Sequence, residues 1–136
     1  MKNNDVLLDL LHSLGAEVTL FVSGRVFCGT ITSASDFFRR SMVGTTTDET
    51  LRSAYGQWVE VIQTEENGTQ QLREKDDADL TDDERKFLDR PRTHIHLKDA
   101  WFFSGTTVIP TTRTGNFRIS LRSVNGWSHG VLIPSQ

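Results

Sequence analysis

Val18-Thr19-Leu20-Phe21-Val22-Ser23-Gly24-Arg25-Val26-Phe27-Cys28-Gly29-Thr30-Ile31-Thr32-Ser33 has the pattern of a β-hairpin. Val18, Leu20 and Val22 alternate, as on a strand with one buried face. Ser23-Gly24 supplies a tight turn, because glycine accepts the positive φ that such turns need. In the returning strand Val26, Cys28, Thr30 and Thr32 share one face, and Phe27, Gly29 and Ile31 the other. A glycine inside that strand predicts a bend or bulge of the kind that small barrels need at their corners.

Upstream, Val6, Leu7, Leu10, Leu11 and Leu14 form one apolar stripe at helical spacing. Asn3 or Asn4 can cap that helix, and Gly15 suits its C-terminal end. Downstream, Asp36 to Val43 is expected to form a turn of helix that stops at Gly44. Thr46-Thr47-Asp48-Glu49 has the form of a capping box. Leu51, Ala54, Tyr55, Trp58, Val59 and Ile62 then repeat at helical spacing. They predict a helix from about 47 to 65 that buries its Trp58 face and ends at Glu65-Glu66-Asn67-Gly68. Residues 67–80, polar and without period, are expected to be a mobile loop. Thr81-Asp82-Asp83-Glu84 is a second capping box, opening a short helix that Pro91 must end. Strands return in His94–Phe103 and Asn116–Val124. Asn125-Gly126 predicts a hairpin turn into a closing strand, Trp127 to Ile133.

The 136 residues suit one domain, with residues 1–35 as N-terminal helix and hairpin, 36–92 as an acidic helical insertion, and 93–136 as C-terminal strands. The fold class expected is α+β: a strongly bent antiparallel sheet or an Sm/SH3-like small barrel with helices packed against it. With 36% hydrophobic residues, eight Phe and three Trp, the chain is too apolar to be disordered. A single cysteine cannot form an internal disulfide. No apolar run reaches the length of a membrane span, and the first residues do not resemble a signal peptide, so a cytoplasmic location is expected. The net charge of −3 argues against nucleic-acid binding through a broad basic surface. Charge is unevenly placed: residues 48–92 carry 13 acids and 7 bases, a net of −6, and the remainder carries +3.

Few residues suggest chemistry. His94 and His96 would share a strand face, but no third ligand has a recognisable spacing, so no metal is expected. Cys28, mid-strand, reads as a small hydrophobe. Neither a G-x-S-x-G elbow nor a phosphate-cradling glycine loop is present, and no cofactor or catalytic residue is indicated. The acidic run Asp76-Asp77-Ala78-Asp79 and Asp82-Asp83-Glu84 lacks the spacing of a calcium loop and reads as a solvated helix start. Arg113, Arg118, Arg122 and Lys98 make the final third basic beside its aromatic residues. The expected interaction surface is therefore Trp101, Phe103, Arg118, Arg122 and Trp127, with the acidic insertion as counter-surface in a second copy.

Two resemblances follow from these patterns. The N-terminal helix and Val18, Leu20, Gly24, Phe27, Gly29 and Ile31 in the hairpin resemble the first motif of Sm-like barrels, with 36–92 as an unusual insertion. That resemblance implies an oligomeric ring or an RNA-binding module. The second rests on Val18-x-Leu20-x-Val22-x-Gly24, Gly29-Thr30-Ile31-x-Ser33-Ala34-x-x-Phe37-Phe38, Ile95-His96-Leu97-Lys98 and Phe117 to Gly130, including Val124-x-Gly126. In these blocks the chain resembles the gas vesicle accessory protein U (GvpU) family. That kinship implies a non-enzymatic cytoplasmic accessory of gas vesicles, distinct from their rib-forming wall. It implies assembly or clustering through self-association and contact with the shell protein; the lack of a long apolar run separately argues against a membrane partner.

Overall fold

The computed structural model describes residues 14–45, 49–90 and 92–132. The stripe before Leu14, the capping box at Thr46–Glu49, Pro91 and the end of the closing strand lie at least partly outside these residues. The hairpin forms as expected. β1 (Glu17–Val22) and β2 (Arg25–Thr32) pair antiparallel, with Val22 opposite Arg25 across the two-residue turn. Ser23 and Gly24 both take positive φ, 48° and 84°, which matches the turn to the twist of the strands.

Helix α1 (Ala34–Thr45) follows at once, longer than the single turn expected. Ser33 caps it: its Oγ accepts from the Asp36 N–H at 3.1 Å, and its carbonyl accepts from the Phe37 N–H at 3.0 Å. Helix α2 runs from Glu49 to Arg73, so the expected stop near Gly68 is not used and the first half of the expected loop 67–80 is helix. A glycine inside a helix costs about 1 kcal/mol, and packing on both sides of it exceeds that. Val59 is buried, Tyr55, Ile62, Glu66 and Thr69 are half-buried along the same stripe, and Leu72 is half-buried beyond it. The buried face is thus centred on Val59, and Trp58, 47% exposed, sits at its rim. A 3₁₀ turn (Asp77–Asp79) leads to α3 (Asp82–Leu88), whose capping box forms in full. The Glu84 N–H donates to Thr81 Oγ1 at 3.1 Å, and the Thr81 N–H to Glu84 Oε1 at 3.0 Å.

The long strand β3 (His94–Ser104) is the centre of the sheet. One edge pairs with β2. The other pairs with β5 (Gly115–Ser120) along its first half and β4 (Thr107–Ile109) along its second. Both long pairings slip in register at one place, between Cys28 and Thr30 and between Leu97 and Ala100. The glycine that marked β2 for a bend sits in that bulge.

Asn125-Gly126 does not turn a hairpin. Those residues lie inside β6 (Val124–His129), which pairs with β1, and the chain turns instead through the 3₁₀ segment Leu121–Ser123. Asn125 has another use: its Oδ1 accepts from the Ser23 N–H at 2.8 Å, fastening β6 to the hairpin turn. The path β5-β3-β2-β1-β6 would span about 19 Å if flat. The short connection from Ser120 to Val124 reaches at most about 14 Å. The sheet must therefore curl, yet it is not closed into a barrel. Its concave side holds the core: Val18, Leu20, Ile31, Ile95, Leu97, Ala100, Ile119, Leu121 and Val124. Phe27, Phe102 and Phe117 close one end, with ring centroids 5.3 to 5.9 Å apart.

Candidate functional site

The convex side of the sheet carries what the core rejects. Along β3 the residues between core positions are His94, His96 and Lys98. Arg118 stands opposite His96 on β5, and Thr30 stands opposite Lys98 on β2. Helix α1 lies over this face, packing on β3 and β5. Phe37 and Phe38 cover the buried His96, with centroids 5.1 and 6.0 Å from the imidazole. The Arg118 guanidinium lies 5.9 Å from the Phe38 ring centre, a cation–π distance. Trp58 of α2 also packs on Phe38, with ring centroids 4.2 Å apart.

Helix α2 is fixed to α1 by a carboxylate. Glu66 Oε1 accepts from the Ser35 N–H at 3.0 Å, and Oε2 from the Ser35 hydroxyl at 2.8 Å. An acid on the N-terminal turn of α1 also suits the helix dipole. Thr32 and Arg40 both donate to Asp36 Oδ2 at 2.7 Å. Burial pushes the Asp36 carboxyl up, but these two bonds and the charges of Arg40 and Lys98 outweigh it and hold the carboxyl below its ordinary value.

Between sheet and helices lies an open cleft of about 1580 Å³. Its wall carries five Lys or Arg, three carboxylates, and both His94 and His96. On a chain with net charge −3 this is a local excess of cations. Lys98 and Arg118 take part in no ion pair among the described residues, whereas Glu66 is held by Ser35. His94 is kept below the ordinary imidazole value, first by burial and then by the charge of Arg118. Such a cleft is larger than the roughly 300–1,000 Å³ of small-molecule sites and suits an anionic polymer segment.

The five residues expected to form the interaction surface do not share one place. Arg118 lines the cleft. Trp101 is buried opposite Cys28, with the Arg113 guanidinium 5.5 Å from its ring centre. Phe103 is half-buried beside Val108. Trp127 stands opposite Leu20 and packs against the core, on the other side of the sheet from Trp101. Arg122 is exposed on the 3₁₀ turn. The sequence also missed Glu66, whose signal was its place on the Tyr55–Val59–Ile62 stripe. His94 and His96 share a face as expected. Among the described residues no group of three or more His, Cys, Asp or Glu gathers, and no helix is long and apolar enough to cross a membrane. Cys28 is buried, its Sγ 3.5 Å from Thr19 Oγ1.

Comparison with known proteins agrees with the second of the two resemblances. No curated protein and no solved structure matches the chain. Residues 6–132 match the family described as gas vesicle protein GvpU-like. That match takes in the hairpin, the helices, the cleft and the curled sheet, and the chain therefore belongs to the GvpU-like family of gas vesicle proteins.

Proposed function

We propose that this protein is a non-enzymatic accessory of gas vesicles, acting in their assembly or clustering by associating with itself and binding the vesicle shell protein. Family membership supports the vesicle setting. The observation that carries the mode of action is charge segregation within one small fold: a basic cleft on the convex sheet face, and an exposed run of aspartates where α2 meets α3. Opposite patches on one chain attract between copies, and the attraction weakens with salt. A shell built of repeating subunits multiplies weak contacts into firm attachment, since each further contact forms at high effective concentration.

Light-scattering mass across a salt and concentration series tests the association, and co-flotation with purified gas vesicles tests the attachment. The expected result is a mass that climbs with concentration and falls with salt, with protein carried up by the vesicles. A mass fixed at several chains at every concentration and salt would favour a closed ring over open association, and a mass fixed at one chain would overturn self-association. Protein left behind by floating vesicles would overturn shell binding.

A further inference from the structure

We propose that the occupant of the basic cleft is the acidic segment 76–83 of a second copy of this chain, an inference that rests on the self-association just proposed and names its contact. The segment has the right charge. Asp76, Asp77, Asp79, Asp82 and Asp83 are all exposed within eight residues, and none joins an ion pair among the described residues.

The segment is also shaped before it binds. The Asp79 N–H donates to the Asp76 carbonyl at 2.9 Å, closing the 3₁₀ turn. The Thr81 capping box sets the next residues, and Lys75 reaches across to Glu84 at 3.1 Å. Arg85 donates to the Asp77 carbonyl, which leaves the Asp77 carboxylate outside that bond. A segment already held in one shape gives up little further entropy on docking.

The receiving side is equally fixed, because Lys98 and Arg118 stand on adjacent paired strands. His96 faces Arg118 directly and lies two residues from Lys98, so the two cations are close diagonal neighbours on one face. Arg73 and Phe87, on either side of the acidic segment, both line the cleft, whereas residues 76–83 contribute nothing to its wall. The segment thus lies beside its own cleft without lining it, and is left for another chain. The contact is heterologous: a copy that inserts its segment still has an open cleft, so growth does not end at a dimer.

Two neutralising variants of the full chain test this, each first checked for an unchanged melting curve. One carries Lys98→Gln and Arg118→Gln, and the other Asp76→Asn, Asp77→Asn and Asp79→Asn. Each alone is expected to associate at least about tenfold more weakly than the natural chain at low salt. Mixed, they are expected to form a two-chain complex and stop, because the intact segment of one fills the intact cleft of the other and the remaining pair is disabled. Variants that associate as the natural chain does, or a mixture that stays at 15.4 kDa, would overturn the contact while leaving self-association standing. A natural chain that stays at one-chain mass at low salt would overturn both.

Discussion

At the scale of single residues, the bend of the sheet depends on what is missing at position 29. A methyl group there would lie 2.5 Å from Ala100 Cβ and 3.2 Å from the Lys98 carbonyl oxygen. Neither atom can retreat easily, because Ala100 is fully buried in the core and Lys98 is bonded into the pairing of β2 and β3. Gly115 has the same role on the other side of β3, where an added Cβ would meet the Ala100 carbonyl at 2.9 Å. The two glycines let neighbouring backbones close on Ala100 where both registers slip. Gly29→Ala should cost about 1–3 kcal/mol through overpacking, read as a fall of several degrees in the melting temperature. Ala100→Gly in the same chain should recover part of that loss, since it removes the clashing Cβ. A Gly29→Ala protein that melts with the natural one would mean that the sheet can open here without strain.

Among the elements, α3 is the one whose sequence signal and structure agree most closely. Thr81 Oγ1 and Glu84 close a reciprocal pair over its first turn, and Lys75 holds Glu84 from outside. The Thr81 backbone bond, with Lys75 next in weight, keeps the Glu84 carboxyl below its ordinary value. Thr81→Ala should weaken this helix by about 1 kcal/mol. The loss should appear as faster hydrogen exchange at the Arg85–Leu88 amides with β3 protection unchanged; equal exchange in both proteins would show the cap to be dispensable. Local signals such as this box and the Ser23-Gly24 turn were legible because each acts within a few residues. Signals that had to compete with distant packing misled. Asn67-Gly68 looks like a stop, but Glu66 is tied to Ser35 across 31 residues and α2 runs on. Asn125-Gly126 looks like a hairpin turn, but pairing with β1 absorbs it into β6. The candidate site was legible only in part for the same reason. Arg118 and Lys98 stood out by charge, yet only the pairing of β2, β3 and β5 brings them to one face beneath Phe38.

For the molecule as a whole, the arrangement of charge gives the proposed self-association a pH dependence with a definite sign. Net charge is −3 at pH 7 and the isoelectric point is near 5.8, so mutual repulsion fades as the solution is acidified toward that point. A second term acts inside the cleft. His94 is held below its ordinary value by burial and then by Arg118, so it is largely neutral at pH 7. An acidic segment placed beside Arg118 would offset that repulsion and raise the His94 value. Docking then takes up protons, and linkage requires association to strengthen as pH falls through the imidazole range. At low salt and fixed concentration, the light-scattering mass should therefore rise from about pH 8 to about pH 6, and added salt should flatten the rise. His94→Gln separates the two terms. It removes the site-specific proton but scarcely alters net charge at neutral pH, so the rise should become shallower in the variant. An undiminished rise would assign the whole effect to net charge, and a mass that falls on acidification would count against a cationic cleft meeting carboxylates at all.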